Sequence, residues 1–166
     1  MKILVNNVDI AQSIHTQKKI LLDTMILCYA HDKSSPYHAK ASLILKAAIN
    51  GLIEACISYQ NLAEFYSIIT GKRVKEPLTP SEATALCILY GKSSRIKKLL
   101  PAGITYDQAF YLAQDHLLTD GDVFDGILAS TARMGANTIW TENVQHFTRY
   151  SFLNAENPLE WVWEER

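Results

Sequence analysis

Apolar runs, interrupted by Gly, Pro and charged residues, divide the chain into alternating short and long segments. Ile20-Leu21-Leu22 is a short run ending at Asp23, as suits a buried parallel strand. Pro36 breaks the following segment, and residues 38–50 have the pattern of an amphipathic helix stopped by Gly51. Residues 53–58 form a second strand, and 61–70 a helix ending at Gly71. Pro77 and Pro80 bracket a turn, after which Ser81 starts a helix through Tyr90. Further along, the pattern predicts a strand over 96–100, helices over 105–117 and 122–134, a strand over 138–141 and a last one over 151–153. Residues 1–19 are an N-terminal extension, either a short leading strand or a loose segment, and 20–166 make one domain. Strands alternating with helices imply an α/β fold with a mainly parallel sheet covered on both faces. Ligands of such sheets bind beyond the carboxyl ends of the strands, where strand order reverses.

That rule brings the acidic residues into focus. Asp23 ends the first strand, Glu64 lies one turn into the helix after the second, and Glu142 and Asn143 follow the strand at 138–141. All four fall on one edge of the sheet. Asp122 and Asp125, three apart, share a face at the start of another helix. Several have a plain structural explanation. Asp23 suits a cap, Asp122 an N-cap, and Asn61-Leu62-Ala63-Glu64 has the spacing of a capping box. Asp125 resists one, because it stands between Phe124 and Ile127-Leu128, and a buried carboxylate needs a partner. Clustered carboxylates repel unless a cation neutralises them, and Mg²⁺ or Mn²⁺ takes oxygen ligands of this kind. Such an ion activates water and stabilises charge on a scissile phosphate, so the set suits phosphodiester hydrolysis.

Composition narrows the alternatives. The chain has 166 residues, 48% hydrophobic and 20% charged, which is ordinary globular material. Its net charge of −1 supplies no bulk field for nucleic acid, so an RNA partner needs a local basic patch or metal ions. Lys72, Arg73 and Lys75, and Lys92, Arg95, Lys97 and Lys98, are the candidates for such a patch or equally a solvated surface. Tyr59, Tyr66, Tyr106 and Tyr111 suit base stacking, or core and interface packing. Cys28, Cys56 and Cys87 lie in apolar runs without C-x-x-C spacing, as buried reduced thiols do. Five scattered histidines mark no zinc motif, and no Walker A or G-x-G-x-x-G sequence is present. The first twelve residues carry Asn and Asp where a signal peptide needs an apolar stretch, and no run is long enough for a membrane span. A cytoplasmic protein that does not enter a membrane is expected.

The segments ILLDTMIL (20–27), LAEFYSII (62–69), FDGILASTARMGANTIWTENVQHF (124–147) and NPLEW (157–161) together resemble PIN-domain ribonucleases, most closely the VapC-type toxins of bacterial toxin–antitoxin pairs. The resemblance runs in order over roughly residues 20–160. It implies a three-layer α/β/α fold, cleavage of RNA with Mg²⁺ or Mn²⁺, a homodimer, and inhibition by a cognate antitoxin. By motif position Asp23, Glu64 and Asp125 match the three usual acids, Asn143 the fourth site, and Thr141 the family's Thr. Two departures stand out. His146 occupies a place where the family often has Asp, and Asn143 is neutral, which points to one firmly held metal and a weaker second, with Glu142 or Asp122 as compensation. Two other functions remain open. One is a catalytically inactive PIN-like module that binds RNA or protein. The other is a phosphatase with Asp23 as nucleophile, although Met25 stands where such enzymes place a second acid.

Overall fold

Strand β3 (Lys19–Leu22) is the middle of a five-stranded sheet whose every neighbouring pair is parallel. The structure, a computed structural model, describes residues 2–166. On one side of β3 lie β4 (Glu54–Ser58) and then β5 (Lys97–Leu99); on the other lie β6 (Thr138–Trp140) and then β7 (Asn154–Glu156). The chain therefore builds outward from β3 in one direction and returns to build in the other. The reversal falls between β3 and β6, where ligand sites of open α/β sheets form.

Alternation along β3 sorts the core into two halves. Ile20 and Leu22 pack into a cluster with α1 (Thr24–His31), α2 (His38–Ile49) and α3 (Tyr59–Ile69). Leu21, Cys56 and Ile139 face the opposite way, against Leu128, Ala129 and Ala132 of α6 (Asp122–Ala132). Helices α4 (Pro80–Lys92) and α5 (Gly103–Asp115) pack on α3 and α6 respectively. The three-layer arrangement read from the sequence is present. Helix α1 was absent from the sequence pattern because its run lacks a polar face: Ile26, Leu27, Cys28 and Ala30 are all buried, so no amphipathic stripe marks it.

Several boundaries differ from expectation. The box at the start of α3 uses Ser58 as N-cap and Asn61 as its reciprocal partner, which frees Glu64 from the capping role its spacing suggested. Gly121, not Asp122, precedes the first turn of α6, and its position carries no side-chain cap. The strand expected over 151–153 lies instead at β7, with Trp140 beside Glu156. Cys28 and Cys56 are buried, whereas Cys87 is half-buried, and all three are free thiols. Of the tyrosines, Tyr59, Tyr106 and Tyr111 are exposed rather than in the core.

The first residues form strands rather than a loose segment. β1 (Ile3–Val5) and β2 (Val8–Asp9) make a hairpin through Asn6 and Asn7, both at positive φ as a tight turn demands. β1 also pairs antiparallel with β8 (Trp163–Glu165), giving a separate three-stranded sheet, and Ile3 and Ile10 are fully buried. Two short 3₁₀ turns, Ile10–Gln12 and Ile14–Gln17, lead from it into β3. Among the described residues no helix is long and apolar enough to cross a membrane.

Candidate active site

Because the strands are parallel, the residues that follow them share one edge. Asp23 leaves β3 with its amide bonded to the carbonyl of Trp140 at 3.0 Å, which pins it across the β3–β6 junction. It is also the N-cap of α1, so the capping role inferred for it is real. Its Oδ1 accepts from the Thr24 amide and its Oδ2 from the hydroxyl of Thr141, both at 2.7 Å. Thr141 is fully buried and in turn accepts from the Asn143 amide at 3.0 Å. Both Asp23 oxygens are thus held by neutral donors.

Glu64 arrives from α3. Its Oε2 accepts from the Thr24 hydroxyl at 2.7 Å, and its Oε1 from Gln60 Nε2 at 2.9 Å. The same Gln60 nitrogen donates to the carbonyl of Phe124 at 3.1 Å, linking α3 to the first turn of α6. The Thr24 hydroxyl oxygen accepts from Asn61 Nδ2 at 3.1 Å, and the buried Asn61 Oδ1 accepts from the backbone N–H and hydroxyl of Ser58. A chain of hydrogen bonds, buried as far as Thr24, therefore runs from the end of β4 through Asn61 and Thr24 to Glu64.

Asp125 comes from the start of α6, which must lie at this edge because the helix runs back to feed β6. His146 Nδ1, from the short helix α7 (Val144–Phe147), donates to its Oδ2 at 2.8 Å. Asp122, one turn earlier, meets Arg149 at 3.5 Å. Among the described residues, one acid-and-histidine trio has ligand atoms within 4.8 Å of one another: Asp122, Asp125 and His146. Asp23 and Glu64 stand outside that trio. Glu142 accepts from the hydroxyl of Tyr29 at 2.5 Å and, with Asn143, His146, Asn157 and Glu160, lines a cleft of about 580 Å³ beside the centre. Asn143 is exposed.

Electrostatics tie the separate acids together. Burial lifts the Asp23 carboxyl to about 6, the bonds from Thr141 and Thr24 oppose the rise, and the charges of Glu64 and Asp125 add to it. Asp125 is also raised by burial, held back by His146, and pushed up by Asp122 and Glu64. Carboxylates that raise one another in this way gain most from a shared cation. Asp23, Glu64 and Asp125, from three separate stretches of the chain, are near enough for their charges to bear on one another, and they carry oxygen donors of the kind that hard divalent ions take. Thr24, Gln60 and Asn61 escaped the sequence reading: Thr24 had only its place beside Asp23 as a signal, and Asn61 looked like the start of a helix.

No protein-family model matches the sequence. Ribonuclease VapC24 of Mycobacterium tuberculosis is 28% identical over 141 residues, which is 83% of this chain and 95% of that protein. Among solved structures, VapC20 of M. tuberculosis, a toxin that cleaves the sarcin–ricin loop, aligns with a TM-score of 0.62 at 11% identity, covering 79% of this chain and 95% of its own. The DNA-bound VapBC2 of Rickettsia felis aligns with a TM-score of 0.57 at 22% identity, over 86% of this chain and 98% of its own. This chain therefore has the fold of the VapC toxins of the PIN-domain family and is a sequence relative of one of them.

Proposed function

We propose that this protein is a metal-dependent endoribonuclease, the toxin of a toxin–antitoxin pair acting in the cytoplasm. The observation that carries the reading is a set of hydrogen bonds at this edge: Thr24 bonds both Asp23 and Glu64, and Gln60 joins Glu64 to the first turn of α6, which carries Asp125. Its support from outside the chain is the likeness to a named ribonuclease along most of its length.

Asp23, Glu64 and Asp125 would hold one Mg²⁺ or Mn²⁺ ion. Asp122 and His146, with Asp125, fit a weaker second position, and Asn143, which lines the same cleft as His146, would add a neutral oxygen there. The ion, when bound, supplies an activated water and charge neutralisation at the scissile phosphate. The protein's own part is to orient oxygens. Thr141 and the Thr24 amide aim Asp23, while Thr24 and Gln60 aim Glu64. Thr141 serves as an orienting donor in this scheme, and Glu142, held by Tyr29, as support at the rim. An antitoxin with a cationic side chain fits the cleft lined by Glu142 and Glu160. The exposed Ile104, Phe110 and Tyr111 on α5 suit a homodimer contact.

Purified protein should cleave RNA with Mn²⁺, and EDTA, Asp23→Asn or Asp125→Asn should each stop it. Equal cleavage by wild type and variants would mark the activity as a contaminant and end the proposal. The His146–Asp125 bond favours one rival, a silent RNA-binding module whose acid is already satisfied. Calorimetry separates the two, because that module binds RNA yet releases no heat with Mn²⁺.

A further inference from the structure

We infer that the cleft at the end of α3 binds the RNA backbone beside the acid centre, with Lys72 and Arg73 neutralising phosphates that flank the one to be cut. The inference rests on the ribonuclease reading and adds to it the path of the substrate. The cleft, about 380 Å³, is lined by Glu64, Ser67, Ile68, Gly71, Lys72 and Arg73. Glu64 belongs to both the cleft and the acid centre, so a strand lying in one reaches the other.

The two cations are available for an external anion. Both are exposed, and among the described residues neither forms an ion pair. The acid that lines the cleft does not consume them, because the oxygens of Glu64 are turned to Thr24 and Gln60. Their starting direction is set by a tight turn. The Thr70 and Gly71 amides bond back to Tyr66 and Ile68, and a Cβ on Gly71 would stand 2.8 Å from the Ser67 carbonyl oxygen. The backbone therefore leaves α3 along one course, with Lys72 and Arg73 at its exit.

Charge selects this side over the other. With a net charge of −1 the protein as a whole does not attract nucleic acid, so local unpaired cations decide where a polyanion rests. The cleft on the far flank presents Glu142 and Glu160 and repels phosphate. An RNA strand fits the α3 cleft better than an acidic protein segment, because the cleft shares Glu64 with the acid centre and a strand held there would bring its next phosphate to the cation that centre would hold.

The test is binding of a labelled single-stranded RNA oligonucleotide across a salt series, by fluorescence anisotropy with Mn²⁺, in an Asp125→Asn background that leaves the RNA intact. Removing two phosphate contacts with Lys72→Ala/Arg73→Ala should lower the slope of log K against log salt by about 1.4 and weaken binding roughly tenfold. Lys72→Gln/Arg73→Gln, which keeps much of the side-chain length, should reproduce the loss. Arg95→Ala/Lys97→Ala is the charge-matched control, because those residues line a cleft with Lys19 and Glu54 at the opposite edge of the sheet; it should leave the slope unchanged. An unchanged slope in the Lys72/Arg73 variants overturns the inference and reassigns the cations to an acidic protein partner. Cleavage assays on the otherwise wild-type chain keep the two readings apart. RNA binding with the expected slope change but no cleavage removes the ribonuclease reading alone, whereas cleavage with an unchanged slope removes the phosphate cleft alone.

Discussion

The acid centre has two unlike flanks. On the α3 side, Glu64 borders a cleft whose free charges, Lys72 and Arg73, are positive. On the α7 side, Glu142 and Glu160 border a larger cleft in which His146 is bound to Asp125 and Glu142 to Tyr29. A chain of nearly zero net charge thus separates its charge locally, across a single row of carboxylates. The lesson is that overall charge, which gave no hint of a polyanion partner, conceals a field with direction. One flank suits a phosphate backbone and the other a cationic protein side chain.

The comparison breaks first at the centre both flanks serve. Asp23→Asn should lower RNA cleavage by more than about a hundredfold, since it removes a metal ligand rather than a supporting bond. Gel assays of end-labelled RNA would detect it. Thr24→Val leaves the carboxylates in place but removes the donor to Glu64 and the acceptor for Asn61. Cleavage and Mn²⁺ affinity should then fall together, by roughly tenfold to a hundredfold, measured by kinetics and calorimetry.

Stability against pH sharpens the picture without any substrate. Asp23 titrates at about 6 in the folded chain against 3.8 for a free carboxyl. The folded state therefore holds this proton more tightly than the unfolded state. The contribution is fully present below about pH 4 and is lost as pH rises through about 6, with a total of at most roughly 3 kcal/mol. Metal-free protein should melt lower at neutral pH than in mild acid. Asp23→Asn should flatten that dependence, and Mn²⁺ should raise the neutral-pH melting temperature of the wild type but hardly that of the variant. Thermal melts in EDTA and in Mn²⁺ check the sign. The smallest effect belongs to the far flank: Glu160→Lys, on an exposed position of the acidic cleft, should tighten RNA binding by only about threefold at low salt and lessen the asymmetry between the flanks.

Much of this was legible in the sequence because the parallel sheet obeys strong local rules. The runs at 20–22, 53–58 and 138–141 are apolar and bounded by breakers, and they became β3, β4 and β6 with small shifts at their ends. Asp23 and Glu64 could be placed on one edge because each follows a strand, whereas Asp125, at a helix start, was singled out by its apolar neighbours and by the motif it shares with PIN-domain ribonucleases. Edge elements were harder. β7 reads Asn-Ala-Glu, with no apolar signature, and its position is set by pairing to β6. The Asn6–Asn7 hairpin carried a local turn signal, but its short flanking strands acquire meaning only when β8 returns from the other end of the chain. Contacts across sequence distance were invisible. Nothing near His146 indicates that it will meet Asp125, 21 residues away, nor that Asn61 will support Thr24, 37 residues away.

The pairing of β1 with β8 has a mechanical consequence. Lys2 and Arg166 exchange backbone hydrogen bonds at 2.9 and 2.8 Å, so the outer ends of β1 and β8 sit side by side on antiparallel strands. Tension applied between them loads those bonds one after another, as a zipper opens, instead of all at once in shear. A pull that separates β1 from β8 at this end would therefore meet little initial resistance, and peeling the small sheet would uncover Ile3 and Trp163 before the layer that carries the acids begins to yield.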